Sequence, residues 1–195
     1  TQISNMRVEQ VQALQQSQIV VIETQDIAAF TASQVAGLSE DQVTWITTTQ
    51  IGAIETRDLI AMTENQIGAM TTAQVRALTT GSEGQVASLT TAQVAGLKTA
   101  QVAALKTEQV ASLAVDGLAK MSTAQIRAMT TAQVAALVAD TQFAALTSTQ
   151  IIAMSTAQVS KITDAQAAAL TTLQAANLGS AQAAALGTSA IVAMG

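Results

Sequence analysis

An eight-residue pattern repeats along the whole chain, and this repeat limits the possible folds more than any other feature. Three consecutive copies begin at Thr90, Lys98 and Lys106, and the consensus unit reads Thr-Thr-Ala-Gln-Val-Ala-Ala-Leu. Counted this way, the chain holds 24 units, and the fourth position is Gln in 20 of them. The fifth and eighth positions are apolar throughout. We therefore expect residues 1–195 to form one octapeptide-repeat array rather than an ordinary globular domain.

A period of eight does not suit one long α-helix. At about 100° per residue, the apolar pair advances by roughly 80° per unit, so an apolar stripe would circle the helix within a few units. Ala, Gln, Leu and Met are nevertheless strong helix formers. The repeat therefore predicts a separate short helix of about six or seven residues in every unit.

The unit also carries a helix start signal. Ser or Thr at the first position and Gln at the fourth match the capping box, in which the hydroxyl and the Gln side chain accept hydrogen bonds from two free backbone amides. Leu at the eighth position of the preceding unit and Val at the fifth are the two ends of a hydrophobic staple. Of the 23 units with a visible start, 19 have Ser or Thr at the first or second position. A hydroxyl cap is expected at nearly every helix.

Such short helices are not stable alone, so neighbouring units must hold them. Val and Leu on one helical face predict a shared apolar axis, and the fold class is an all-α solenoid with three or four helices, about 24 to 32 residues, per coil. Ala and Gly at the sixth and seventh positions allow close approach between coils, and Gln side chains are expected to form ladders between them. A β-solenoid is the alternative, although apolar spacings of three and five do not alternate and Ala and Gln are poor strand formers.

Two insertions interrupt the octad. Residues 79–85 hold three extra residues around Gly81-Ser82-Glu83-Gly84, and residues 138–142 hold one. The first predicts a surface loop at a coil corner, and Asp116-Gly117 predicts a second irregularity. Neither segment resembles a phosphate-binding loop, because the lysine and the strand context are missing.

Some single positions depart from the consensus. Trp45 replaces Ala at a seventh position, for which extra packing or a contact with another copy is favoured over a binding site, while Phe30 and Phe143 replace aliphatic residues. Asp26 and Asp58 replace Gln at the fourth position, and helix capping explains them better than catalysis or metal binding. Charged side chains at sixth or seventh positions are expected to lie in solvent: Arg76, Lys120, Arg127 and Lys161.

Composition excludes many functions. With no Cys and no His, the chain lacks a disulfide framework, a thiol nucleophile, a classical zinc site and an imidazole base, so no catalytic, cofactor-binding or metal-binding residue is predicted and an enzyme is disfavoured. A net charge of -5 without a basic run disfavours nucleic acid, and no apolar stretch is long enough to span a membrane. Thr1–Asn5 shows no signal peptide, so we expect a processed chain or part of a longer one.

The segment Leu89-Thr90-Thr91-Ala92-Gln93-Val94-Ala95-Gly96-Leu97 shows the repeat at its most regular. It resembles the Thr/Ala/Gln-rich octapeptide arrays of very large bacterial secreted or cell-surface proteins of the repeat-adhesin kind, and the resemblance covers essentially the whole chain. It implies an extracellular structural or adhesive role and a bacterial source. The calcium-binding glycine-aspartate nonapeptides that often accompany such arrays are not seen here.

The last units predict self-association. Their fifth positions shrink to Ala167, Ala175 and Ala183, and residues 191–195 do not resemble the polar capping repeat that ends a solenoid in water. We therefore expect head-to-tail stacking into an extracellular or cell-surface stalk or filament. A segment of a longer array, such as a large repeat adhesin, is equally compatible. A further alternative is a surface-binding module that presents rows of Thr to ice or carbohydrate.

Overall fold

A computed structural model describes residues 2–195. Over these residues the chain forms no strand and consists of 22 α-helices of four to six residues, a 3₁₀ turn at Ile3–Asn5 and a π-helical turn at Ala139–Phe143. The predicted all-α solenoid is confirmed, and the β-solenoid alternative is wrong. The α-helices are α1 (Val8–Gln12), α2 (Gln16–Ile19), α3 (Thr24–Ile27), α4 (Ala32–Ala36), α5 (Glu40–Trp45), α6 (Thr48–Ala53), α7 (Thr56–Leu59), α8 (Glu64–Ala69), α9 (Thr72–Ala77), α10 (Gln85–Ser88), α11 (Thr91–Gly96), α12 (Thr99–Ala104), α13 (Thr107–Ser112), α14 (Val115–Lys120), α15 (Thr123–Ala128), α16 (Thr131–Ala135), α17 (Ser148–Ala153), α18 (Thr156–Val159), α19 (Asp164–Ala168), α20 (Thr172–Ala176), α21 (Ser180–Ala185) and α22 (Thr188–Ala193).

In the regular units, two extended residues separate one helix from the next. Before and after α11, for example, Thr90 has φ -68° and ψ 161°, and Leu97 has φ -61° and ψ 132°. Both conformations lie in the extended region, so they stop one helix and set the direction of the next. The joint therefore falls at the eighth position of one unit and the first position of the next, where the sequence places the staple and the cap.

The helices stack in three rows because each one packs against the helix three units away. Three units make one coil, so the expected three or four helices per coil resolves to three. Row 1 contains α3, α6, α9, α12, α15, α17 and α20; row 2 contains α1, α4, α7, α10, α13, α16, α18 and α21; row 3 contains α2, α5, α8, α11, α14, the π-helical turn, α19 and α22.

The fifth- and eighth-position side chains fill the axis between the rows, as predicted. In one unit, Val94 is fully buried and Leu97 is 3% exposed. Equivalent residues from Val11 to Ala190 belong to one continuous apolar cluster. Burial of each large aliphatic side chain contributes about 1.5–3 kcal/mol, which compensates for helices too short to be stable alone.

Small residues allow neighbouring coils to approach closely. A Cβ atom at Gly96 in α11 would lie 2.8 Å from the backbone oxygen of Glu64 in α8. A Cβ atom at Gly117 in α14 would lie 2.9 Å from Cγ2 of Val94 in α11. The irregularity expected at Asp116-Gly117 is wrong, because both residues lie inside the regular helix α14. Gly117 instead allows α14 to pack closely against Val94 in α11.

The three-residue insertion forms the expected surface loop without disturbing the helix that follows it. The Thr79 amide donates to Oε1 of Gln85, and the Gln85 amide donates to Oγ1 of Thr79, each at 3.0 Å. The capping box is therefore closed across the insertion. The residues between are exposed through Glu83, and Gly81 has φ 99°, which glycine adopts readily.

The single extra residue near 138–142 is absorbed as a π-helical turn. The amide of Phe143 donates to the carbonyl oxygen of Val138, five residues earlier, at 2.9 Å. A π-turn holds one residue more than an α-turn. The extra residue is therefore taken up inside the turn, and Gln142 and Phe143 keep the fourth and fifth positions of their unit. Phe143 is accordingly fully buried in the axis.

Candidate interaction surfaces

The capping box is formed as the sequence predicts, but only by first-position hydroxyls. In α11, the Gln93 amide donates to Oγ1 of Thr90 at 3.2 Å, and the Thr90 amide donates to Oε1 of Gln93 at 2.9 Å. Where the first position is Lys98, the second-position hydroxyl of Thr99 does not cap α12. The expectation that either position can supply the cap is therefore corrected. A hydroxyl accepts from the fourth-position amide at Thr31, Ser39, Thr47, Thr63, Thr71, Thr79, Thr90, Ser122, Thr130, Thr147, Ser155, Thr163 and Thr171.

The same glutamines also join adjacent coils. Nε2 of Gln93 donates to the carbonyl oxygens of Leu59 at 2.9 Å and Met62 at 2.8 Å. These carbonyls end a helix four units earlier, where the last turn leaves acceptors without a partner in their own helix. One buried amide thus satisfies the start of its own helix and the end of another. This Gln bridge replaces the expected ladder of glutamines.

The Gln bridge recurs through the array. All 17 fourth-position glutamines from residue 34 onward are buried, and each donates to backbone carbonyls of the unit four before it. The sequence held a signal for this role. Glu also completes a capping box, yet no fourth position in the chain holds Glu. The requirement for an amide, which donates as well as accepts, explains this preference.

Within residues 2–195, the first and last coils make only one half of these contacts. We define the N-terminal end coil as residues 7–30 and the C-terminal end coil as residues 171–194. Gln10 and Gln18 in the N-terminal end coil are exposed and accept only from their cap amides. In the C-terminal end coil, the carbonyls of Leu178 and Leu186 accept no hydrogen bond within residues 2–195.

Charge is distributed unequally among the rows. Row 3 has an excess of five negative charges, which equals the net charge of the whole chain. Its charged residues are Glu40, Asp41, Glu64, Asp116, Lys120, Asp140 and Asp164. Within the described part of the chain, ion pairs join only Arg57 to Glu55 and Asp58. Row 3 therefore presents unneutralised carboxylates, which disfavour side-by-side contact between two such rows.

The polar residues that depart from the consensus lie in structural positions. Asp26 and Asp58 do not form the expected hydrogen bond to their N-cap residues, and buried Asp58 instead pairs with Arg57. Nε of Arg57 lies 3.4 Å from the Asp58 carboxylate. Among the described residues, no group of three or more potential ligands is placed to hold a metal ion. As expected, the side chains at sixth or seventh positions are exposed: Arg76, Lys120, Arg127 and Lys161.

The aromatic residues belong to the packing of the array. Phe30 and Phe143 are buried in the axis, and Trp45 is half-buried against the same apolar cluster. An open groove of about 400 Å³ is lined by Glu40, Glu64 and Lys98 among others, and Trp45 does not line it. In residues 2–195 no helix has the length and apolarity needed to span a membrane.

Three rows of capped short helices around one apolar axis define an α-solenoid, a class of structural repeat protein. A model of the ALTTAQ repeat matches four segments, residues 19–53, 51–90, 82–115 and 116–147, which together span about two thirds of the chain. The chain belongs to the ALTTAQ repeat family. No curated protein sequence matches it.

Proposed function

We propose that the protein is a non-catalytic structural rod, secreted or displayed on a cell surface, that lengthens by end-to-end stacking into a stalk or filament. The observation that carries the proposal is the Gln bridge, which links every coil to the next by the same contacts. A stack of identical coils gains length without changing its cross-section. The solenoid thus supplies distance and stiffness, and the carboxylates of row 3 direct association toward the ends.

Electron microscopy of the purified chain over a concentration series tests this function. Rods with the width of one solenoid should lengthen as protein concentration rises, because a heterologous end contact does not close on itself. Analytical ultracentrifugation should show the same growth in mass. A chain that remains monomeric at every concentration would rule out the filament.

The extracellular location rests on the resemblance of the octad to surface-protein arrays and on its surface of Thr, Ala and Gln with few charges. Protease treatment of intact producing cells tests it, with an antibody raised against this chain. Removal of the epitope without lysis supports surface display. An epitope that is cut only after lysis contradicts it.

A second candidate function is binding to ice or a carbohydrate surface. It is favoured by an unbroken column of hydroxyls at the second position of row 1. The column consists of Thr24, Thr48, Thr72, Thr99, Thr123, Ser148 and Thr172, all exposed except the half-buried serine. Thermal hysteresis, or retention on insoluble polysaccharide, that is lost when Thr72 and Thr99 become Lys would support this role. Absence of both activities in the unaltered chain would exclude it.

A further inference from the structure

Row 1 carries an exposed face on which hydroxyls and guanidinium groups are neighbours. The second and sixth positions of a unit lie four residues apart, so their side chains share one face of the helix. Helices α9, α12 and α15 occupy three successive coils of the row. We define the row 1 face as the exposed second- and sixth-position side chains of these helices: Thr72, Arg76, Thr99, Ala103, Thr123 and Arg127. Its two arginines therefore lie on either side of an uncharged pair of side chains.

The charge of this face is positive and has no compensating carboxylate. From α6 onward, the units of row 1 hold three charged side chains, Arg76, Lys98 and Arg127, and all three are cationic. Within the described part of the chain the ion pairs lie in row 2, so neither arginine of the face has a carboxylate partner. Lys98 lies at the edge of the row, where it lines the groove beside Glu64 of row 3. The chain is thus acidic overall but has a cationic strip along one side.

The two guanidinium groups keep donors that the fold does not use. Nη1 of Arg76 donates to the carbonyl oxygen of Ala104 in the next coil at 3.0 Å, which holds this group against α12. A guanidinium has five N–H donors, so the others on Arg76 remain available. The side chain of Arg127 makes no hydrogen bond within residues 2–195. Such planar donor groups bind carboxylates through two parallel hydrogen bonds.

The side chains of the row 1 face favour a polysaccharide over other polyanions. Threonine hydroxyls both donate and accept, as sugar hydroxyls do. The face has no aromatic side chain on which a base could stack and no large apolar side chain that could enter a bilayer. The carboxylates of row 3 also repel nucleic acid, whose charge density is high. The two arginines lie two coils apart, about 16–20 Å at the spacing of packed helices, so a ligand that reaches both must be extended.

We propose that the row 1 face binds an extended anionic polysaccharide that lies along the row. Carboxylates of the polymer pair with Arg76 and Arg127, and its hydroxyls exchange hydrogen bonds with Thr72, Thr99 and Thr123. The proposal rests on the second candidate function, carbohydrate binding, and assigns the class of its ligand. An exposed ion pair contributes little alone, so the affinity comes from several contacts along one polymer chain.

Affinity electrophoresis in gels that contain polygalacturonate tests the proposal, with the fully methyl-esterified polymer as the uncharged comparison. The acidic polymer should retard the unaltered chain, and added salt should weaken the retardation. Arg127→Gln should raise the dissociation constant about two- to fivefold. Lys120→Gln removes one positive charge from an exposed position of row 3 and should change the constant less than about 1.5-fold. Circular dichroism of both variants confirms that the solenoid is retained.

The outcomes separate the ligand class from carbohydrate binding itself. Equal retardation by the acidic and the esterified polymer, or equal effects of Arg127→Gln and Lys120→Gln, would show that the assigned contacts are wrong while carbohydrate binding stands. If neither polymer retards the unaltered chain, both proposals fail. Tighter binding of single-stranded DNA than of polygalacturonate would assign the face to nucleic acid and overturn the proposal. Thr72→Lys and Thr99→Lys add cations to the face, so they should tighten binding to polygalacturonate although they abolish binding to a neutral surface.

Discussion

At the residue scale, Gln at the fourth position is the smallest side chain that can perform both tasks of the octad. Its oxygen accepts from the cap amide of its own helix, and its nitrogen donates to carbonyls of the adjoining coil. Gln93 does this at 1% exposure. Asn has the same amide but a shorter reach, and Glu has the reach but no donor when ionised. The two tasks together account for the recurrence of Gln.

Replacement of Gln93 with Glu separates the two tasks. The carboxylate still accepts from the Thr90 amide but cannot donate to Leu59 and Met62, and it adds a buried charge. The free energy of unfolding should fall by about 3–5 kcal/mol at neutral pH in chemical denaturation followed by circular dichroism. Gln16→Glu, on an exposed side chain, should change it by less than about 0.5 kcal/mol.

The loss caused by Gln93→Glu should depend on pH. Burial raises the pKa of the introduced carboxyl in the folded state above its value in the unfolded chain. The folded state therefore takes up a proton first as the pH falls, and the loss of stability should shrink through that raised pKa. A loss that is constant from pH 8 to pH 4 would show that the donor to the carbonyls is not what the variant lacks.

Adjacent threonines provide a test of the cap. Oγ1 of Thr90 accepts from the Gln93 amide, whereas Thr91 is the first residue inside α11 and its side chain caps nothing. Thr90→Ala should lower the free energy of unfolding by about 1 kcal/mol, because it leaves the amide without its acceptor. Thr91→Ala should be neutral or slightly stabilising, since Ala favours helix. Equal effects in thermal denaturation would contradict the assignment of the cap to the first position.

At the element scale, each helix depends on its neighbours, and the spacing between rows is set by small residues. The start of many helices could be predicted from the sequence because the Thr-x-x-Gln signal is local, as at Thr90 and Gln93. The bridge from Gln93 to Leu59 could not, because it depends on which units the coil brings together. The irregularity predicted at Gly117 was wrong for the same reason, since the neighbour that requires a glycine there, Val94, is distant in sequence.

Two helical glycines test this spacing. A Cβ at Gly96 would lie 2.8 Å from the backbone oxygen of Glu64, whereas a Cβ at Gly52 would meet nothing closer than 3.6 Å. Gly96→Ala should therefore lower the free energy of unfolding by about 1–3 kcal/mol through forced separation of α8 and α11. Gly52→Ala should raise it by about 0.5–1 kcal/mol, the usual gain of Ala over Gly in a helix. Stabilisation by both variants in denaturant titrations would contradict the close approach of these coils.

At the scale of the whole molecule, the protein is a one-dimensional stack, and its length is proportional to its number of coils. The sequence predicted an α-solenoid from the period and the apolar pair but left three or four helices per coil open, because the repeat alone does not set how sharply each joint bends the chain. The choice of three follows from the packing of helices three units apart, such as α9 on α12 and α12 on α15.

Distances along row 1 test the three-helix coil most directly. The chain has no Cys, so pairs of cysteines can carry spin labels at chosen sites without removal of native thiols. Thr123 should be paired in turn with Thr72, Thr48 and Thr24, which lie two, three and four coils away on the same row. Double electron-electron resonance should show distances between the two spin labels that grow by about 8–10 Å per coil, the spacing of packed helices. Steps near 4.8 Å would indicate stacked strands, and distances that do not rise steadily would contradict three helices per coil.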